Sequence, residues 1–158
     1  MSYAIVSEPP TCSDEVATVG EWEYTRAPGD VVKISLGRAD LGSELRVYIT
    51  YKHPLEGTTM YVYILDTVGK TLRGYRVVCP RDPDFQRAEF MGILDIARLY
   101  GEDAFNSLLR YVQGVNDMWG VIGMVNRLNF LFSCDRCRTE WRGKVRELLL
   151  GLGVAGHG

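Results

Sequence analysis

Residues 45–79, LRVYITYKHPLEGTTMYVYILDTVGKTLRGYRVVC, constrain the fold more than any other stretch of this chain. In 45–52, Leu45, Val47, Ile49 and Tyr51 alternate with Arg46, Tyr48, Thr50 and Lys52. In 60–65, Met60, Val62 and Ile64 alternate with Tyr61, Tyr63 and Leu65. A third run, 71–79, ends at Pro80, which has no N–H to give to a ladder. Alternation with period two is the signature of strands. The links are short, with Pro54 and Gly57 in one and Val68-Gly69-Lys70 in the other. Strands joined so closely form an antiparallel meander, because a parallel crossover needs a dozen or more residues.

The meander extends upstream. In 21–26, Trp22, Tyr24 and Arg26 alternate with Glu21, Glu23 and Thr25, which predicts an edge strand. Ala27-Pro28-Gly29-Asp30 reads as a turn. Residues 31–36 follow as a strand, with Val32, Ile34 and Leu36 on one face and Lys33 on the other. Residues 1–19 carry Pro9-Pro10 and weak periodicity, and read as a flexible lead-in.

After Pro80 the period changes. Asp82-Pro83-Asp84 has the chemistry of a helix start. A helix is expected over 82–100, with Phe90, Ile93, Leu94, Ala97 and Tyr100 at helical spacing. Others are expected over 104–112, 117–128 and 135–150, before a flexible tail at 151–158. The class is therefore α+β: an antiparallel meander of four to five strands followed by about four helices on one sheet face. Residues 20–150 form a single domain, a length that suits one core. The face of Val32, Ile34, Val47, Ile49, Val62 and Ile64 is the expected seat for the helices.

No apolar run reaches a membrane span; the nearest, 118–132, contains Asn126, Arg127 and Asn129. The start shows no basic segment followed by an apolar core, so no signal peptide is expected and the chain reads as cytoplasmic. The formal net charge of −2 gives no global basic field, but residues 1–30 carry −5 and residues 31–80 carry +3. A local basic surface on the sheet is thus compatible with a near-neutral chain.

That surface is the first candidate site. Opposite the aliphatic face, the alternation gathers Lys33, Arg46, Tyr48, Lys52, Tyr61, Tyr63, Arg73 and Tyr75, with Tyr24 and Arg26 at the edge. Tyrosines that stack bases, interleaved with cations that follow phosphates, suit single-stranded DNA or RNA. The leading expectation is a nucleic-acid-binding protein without enzymatic activity. The competing account is structural, since tyrosine favours strands and Tyr–Arg pairs stabilise exposed sheets.

The second candidate is the C-x-x-C of Cys134 and Cys137. With Cys79 and Cys12 it gives the ligands of a four-cysteine zinc staple. A redox pair of the thioredoxin type lacks its βαβ context here, and the remaining alternatives are ordinary helix-turn cysteines or the disulfides of a thermophile. No other cofactor is implied. The last helix carries an apolar stripe of Trp141, Val145, Leu148, Leu149 and Leu152. This makes a self-associating interaction or assembly module the second functional expectation. Conventional catalysis has little to stand on. There are two histidines, His53 in a hairpin turn and His157 in the tail. No phosphate-binding loop motif occurs.

Overall fold

The computed structural model describes residues 8–154. Six strands run in chain order across one antiparallel sheet. They are β1 (Ala17–Ala27), β2 (Asp30–Asp40), β3 (Glu44–His53), β4 (Gly57–Asp66), β5 (Thr71–Cys79) and β6 (Arg87–Leu94). Four helices follow: α1 (Ile96–Tyr100), α2 (Glu102–Gly114), α3 (Met118–Ser133) and α4 (Arg142–Val154). The α+β class and the meander are as the sequence predicts, with six strands in place of four to five.

The added strand corrects the expected helix over 82–100. Pro83–Phe85 is one 3-10 turn, Arg87–Leu94 is β6, and only Ile96–Tyr100 is helical. Helical spacing of the apolar residues was outweighed by the open edge of β5, whose backbone donors and acceptors β6 satisfies. A register shift beside Tyr75 and a positive φ at Gly92 bend the strand, and Asp95 then caps α1. The last helix also starts later than expected: Asp135–Arg138 is a 3-10 turn, and α4 begins at Arg142. Of the predicted tail, 151–154 belong to α4, and 155–158 lie outside the described residues.

Two buried clusters lie on opposite sides of the sheet. The larger joins Val32, Ile34, Leu36, Val47, Ile49, Tyr63, Leu65 and Leu72 to the helices. The smaller holds Tyr48, Met60, Val62, Ile64, Tyr75 and Val77, with Val16 packed against it.

The helices divide the larger face between them. At one end of the strands α1 and α2 are anchored by Ala97 N–H to the Lys70 carbonyl and by Arg38 to the Val115 carbonyl. In the middle, α3 crosses the strands. Its Trp119 ring meets Tyr24 of β1 edge-on, with centroids 5.5 Å apart. Asn129 Oδ1 accepts the Tyr63 hydroxyl of β4 at 2.6 Å. The Phe132 ring lies against β5 and β6 at Gly74 and Gly92. A Cβ at Gly74 would sit 2.5 Å from that ring, so glycine is what lets the helix dock. Sixteen helical residues span about 24 Å. Six strands at about 4.8 Å spacing span about the same, so α3 is long enough to cross the whole sheet.

Candidate functional site

The predicted tyrosine and cation face is not assembled as one open surface. Residues directly opposite on paired strands share a face, and Tyr48 pairs with Val62 while Val47 pairs with Tyr63. Tyr61 and Tyr63 therefore stand on the helix side with Val47 and Ile49. Met60, Val62 and Ile64 go to the other side. This reverses the expected placement of β4. The segment MYVYIL is apolar on both faces, so period two alone cannot orient it; the hairpin turn between His53 and Gly57 sets the register.

Of the other predicted residues, Lys33, Arg46, Tyr48, Lys52, Arg73 and Tyr75 do share the face away from the helices. Arg46, Tyr48 and Tyr75 are buried there. Arg46 donates to Glu44 at 2.6 Å and to the Glu8 carbonyl at 2.8 Å. The Tyr48 hydroxyl donates to Asp14 at 2.8 Å, and burial pushes its pKa up. Arg73 pairs with Glu44 at 3.3 Å. Lys33 and Lys52 lie opposite each other and are exposed. The described part of the lead-in, expected to be flexible, is pinned across this face, and Pro10 is buried.

The four-cysteine zinc staple is likewise corrected. Cys12 is bonded to Cys79, with Cα atoms 5.9 Å apart, and Cys134 to Cys137, 5.4 Å apart. Cys12 and Cys79 join the lead-in to the end of β5. Cys134 and Cys137 are buried between α3 and α4, and the Tyr100 hydroxyl donates to the Cys137 carbonyl. Among the described residues no group of His, Cys, Asp or Glu is placed to hold a metal ion. The apolar stripe of α4 faces α2 and the core. Val145 and Leu149 are buried, Trp141 and Leu152 half-buried, and only Leu148 of that stripe is exposed.

A different surface collects exposed chemistry. On the helix side the strands run on past α3 toward the hairpin turns, and this end carries no helix among the described residues. A groove lies there between the sheet and the outer flank of α3. One part, of about 390 Å³, is lined by Tyr24, Val32, Tyr51 and Tyr61 from the sheet and by Ile122, Asn126 and Asn129 from α3. A second, of about 500 Å³, continues to β6 along Phe90, Met91, Phe130 and Phe132. Tyr61, Arg76 and Asn129 line both, so the groove is continuous across the strands. Tyr51 and Tyr61 meet edge-on at 6.0 Å, and burial pushes the Tyr51 hydroxyl up to about 12.

The cations of the groove are already matched. Arg26 donates to both oxygens of Asp30, at 2.9 and 3.1 Å, and to Glu56 at 2.9 Å. Arg26 and His53 together hold the Asp30 carboxyl below its ordinary range. Arg76 pairs with Glu89 at 3.3 Å. His53 Nδ1 accepts the N–H groups of Leu55 and Glu56, and Nε2 therefore donates to Asp30 at 2.6 Å. Both ring nitrogens thus hold the two hairpin turns together. The two guanidiniums of the groove, Arg26 and Arg76, are matched by the lining carboxylates Glu56 and Glu89 and by Asp30 behind Arg26, which leaves no attraction for a polyanion.

Sequence reasoning named Tyr24, Arg26 and Tyr61 but missed Tyr51, Asn126, Asn129 and Phe130. The missing information was the register of β4 and the path of α3. No known protein family matches this chain, and neither a curated protein nor a solved structure was found to resemble it.

Proposed function

We propose that the protein is a non-enzymatic interaction module that seats an amphipathic helix of a partner protein in the groove beside α3. The observation that carries this reading is an uncovered sheet end one helix wide with an aromatic floor. From the row of Tyr63, beneath α3, to that of Thr59 is four residues, about 13 Å of strand. A helix with its side chains is about 10–12 Å across. Across six strands it would extend about 24 Å, or roughly 16 residues.

The lining suits a protein partner. Tyrosine, tryptophan, phenylalanine and arginine carry most interface energy, and large apolar residues exposed together mark such sites. Of the lining residues Phe90 is 54% exposed and Phe130 44%, and Trp119, edge-on to the lining residue Tyr24, is 63% exposed. Asn126 and Asn129 offer amides to orient the ligand, and the internally matched charges favour an uncharged apolar face over phosphates.

The test is a display library of 16- to 18-residue amphipathic peptides selected on the intact protein. Selected peptides should become helical on binding and protect Tyr51, Tyr61 and the flank of α3 in hydrogen exchange. Tyr61→Ala should weaken them about tenfold or more, which is the loss of one aromatic hot spot, while Lys33→Ala leaves them unchanged. Peptides that bind equally well to Tyr61→Ala would overturn the reading.

No helix among the described residues is long and apolar enough to cross a membrane. The cytoplasmic setting expected from the sequence fits two disulfides only in a cell interior that tolerates them, as in hyperthermophiles; otherwise the bonds favour an oxidising compartment.

A further inference from the structure

The other side of the sheet is a surface held shut by the chain itself. Residues 8–16 form neither strand nor helix and cross it as a strap. Among the described residues three hydrogen bonds tie the strap to the rest of the protein: Arg46 to the Glu8 carbonyl, the Tyr48 hydroxyl to Asp14, and Cys12 N–H to Gln86 Oε1. The Cys12–Cys79 disulfide is the fourth tie and the one covalent one. The strap does not lie flush. A cavity of about 380 Å³ separates it from the strands and is lined by Asp14, Val16, Tyr48, Lys52 and Met60 among others.

Charge shows what the strap imitates. It carries Glu8, Asp14 and Glu15 and no cation. Beneath and beside it stand Arg46, Lys52 and Lys33, with Glu44 bonded to Arg46 and Glu23 opposite Lys33 on the same face, and with Tyr48 and Tyr75 in one row two strands apart; among the described residues Lys52 is the cation of the three without such an acid. Arg46 and Tyr48, which would donate to phosphate oxygens, donate instead to a strap carbonyl and a strap carboxylate. We propose that the strap is an internal stand-in for single-stranded nucleic acid, and that reduction of Cys12–Cys79 releases it and opens the face to that ligand. Two tyrosine rings for stacking and flanking cations for the backbone are the requirements of a single-strand platform. They are the part of the sequence-predicted site that does share one face.

The redox step is ordinary thiol–disulfide exchange. A thiolate of a dithiol reductant attacks one sulfur of Cys12–Cys79 and forms a mixed disulfide. Its second thiol displaces the remaining cysteine, leaving two thiols on this chain and a disulfide on the reductant. Access selects the bond. Cys12 is exposed and Cys79 half-buried, whereas Cys134 and Cys137 are both buried.

The experiment measures fluorescence anisotropy of a labelled oligothymidine at low salt on three samples. These are the oxidised chain, the chain treated with dithiothreitol, and the Cys12→Ser/Cys79→Ser variant, which keeps Cys134–Cys137. Binding should tighten about tenfold or more in the last two, as the competent fraction rises, and fall steeply with salt. Alkylation and mass spectrometry should find Cys12 and Cys79 modified first. Adding Lys52→Glu, an exposed position, to the double variant should weaken binding without unfolding the chain. Hydrogen exchange should show the strap and β3 losing protection together. Equal binding in all three samples overturns the proposal. So does a strap that stays protected after reduction, an opened strap with no oligonucleotide bound, or a preference for an acidic peptide over the oligonucleotide.

Discussion

Ile64 and Leu65 are neighbours on β4, both wholly buried, and they point to opposite sides of one sheet. Leu65 sits in the cluster built with the helices. Ile64 sits in the smaller cluster on the side where the strap lies. The helix side is closed by four helices and many independent contacts. Among the described residues the strap is held by one disulfide, three hydrogen bonds and the packing of Pro10 and Val16. A cover of the first kind is part of the fold, whereas a cover of the second kind is removable. This contrast makes the strap side the candidate for regulation and the helix side the rigid frame for the groove.

Truncating the two neighbours probes the contrast directly. Leu65→Ala should cost about 4–5 kcal/mol and Ile64→Ala about 2–3, the upper and lower parts of the range for such core changes. Denaturant unfolding with an unchanged slope measures both. In the Cys12→Ser/Cys79→Ser background the Ile64→Ala cost should shrink while the Leu65→Ala cost holds, because only Ile64 shares a cover with the disulfide. Equal costs in both backgrounds would make the strap side a core in its own right and erase the distinction.

A smaller effect separates the two buried tyrosine hydroxyls. Tyr63 donates to Asn129 at 2.6 Å under α3, and burial pushes its pKa far up. Tyr63→Phe should cost about 1–2 kcal/mol, since it strands an acceptor in a half-buried place. Tyr48→Phe removes a bond to Asp14, whose carboxylate is exposed and can turn to water, and should cost less than about 1 kcal/mol. Tyr63→Phe should also loosen Asn129, a lining residue of the groove, and so weaken a bound helix; Tyr48→Phe should not. If the two costs prove equal, solvent reaches both hydroxyls alike.

The same contrast explains what could be read from the chain. Strands β2, β3 and β5 were legible because each has a plain period-two face or a proline stop. So was the class, because short links allow only a meander. The orientation of β4 was not, since Met60 to Leu65 are apolar or tyrosine on both sides and a turn between distant residues decides. β6 was hidden because Phe90, Ile93 and Leu94 fit a helix locally, while the open edge of β5 that recruits them is a tertiary fact. The cysteines gave a count but no pairing, and four cysteines allow three pairings. The strap's role was unreadable for the same reason: Asp14 and Tyr48 are 34 residues apart, and nothing local joins them.

The smallest prediction concerns an ion pair on the helix side. Arg146 of α4 donates to both oxygens of Asp103 of α2, at 2.6 and 2.8 Å. This holds the Asp103 carboxyl down to about 2, below the ordinary 3.8. A carboxyl with a lowered folded pKa adds stability that is fully present above the unfolded value and is lost as pH falls through the folded one. The window therefore runs from about pH 4 down to about pH 2. Both side chains are open to water, at 40% and 59% exposure, so screening keeps the effect small. The Tm difference between the wild type and Asp103→Asn should be slight at pH 6 and should vanish toward pH 2. Raising the salt at pH 6 should shrink it too. Arg146 also donates to the Tyr100 carbonyl at 2.6 Å, a bond that acid does not remove, so α4 should stay docked when Asp103 is protonated. A difference that persists unchanged to pH 2 would mean that the asparagine disturbs the packing of α2 on α4 and that the charge contributes nothing.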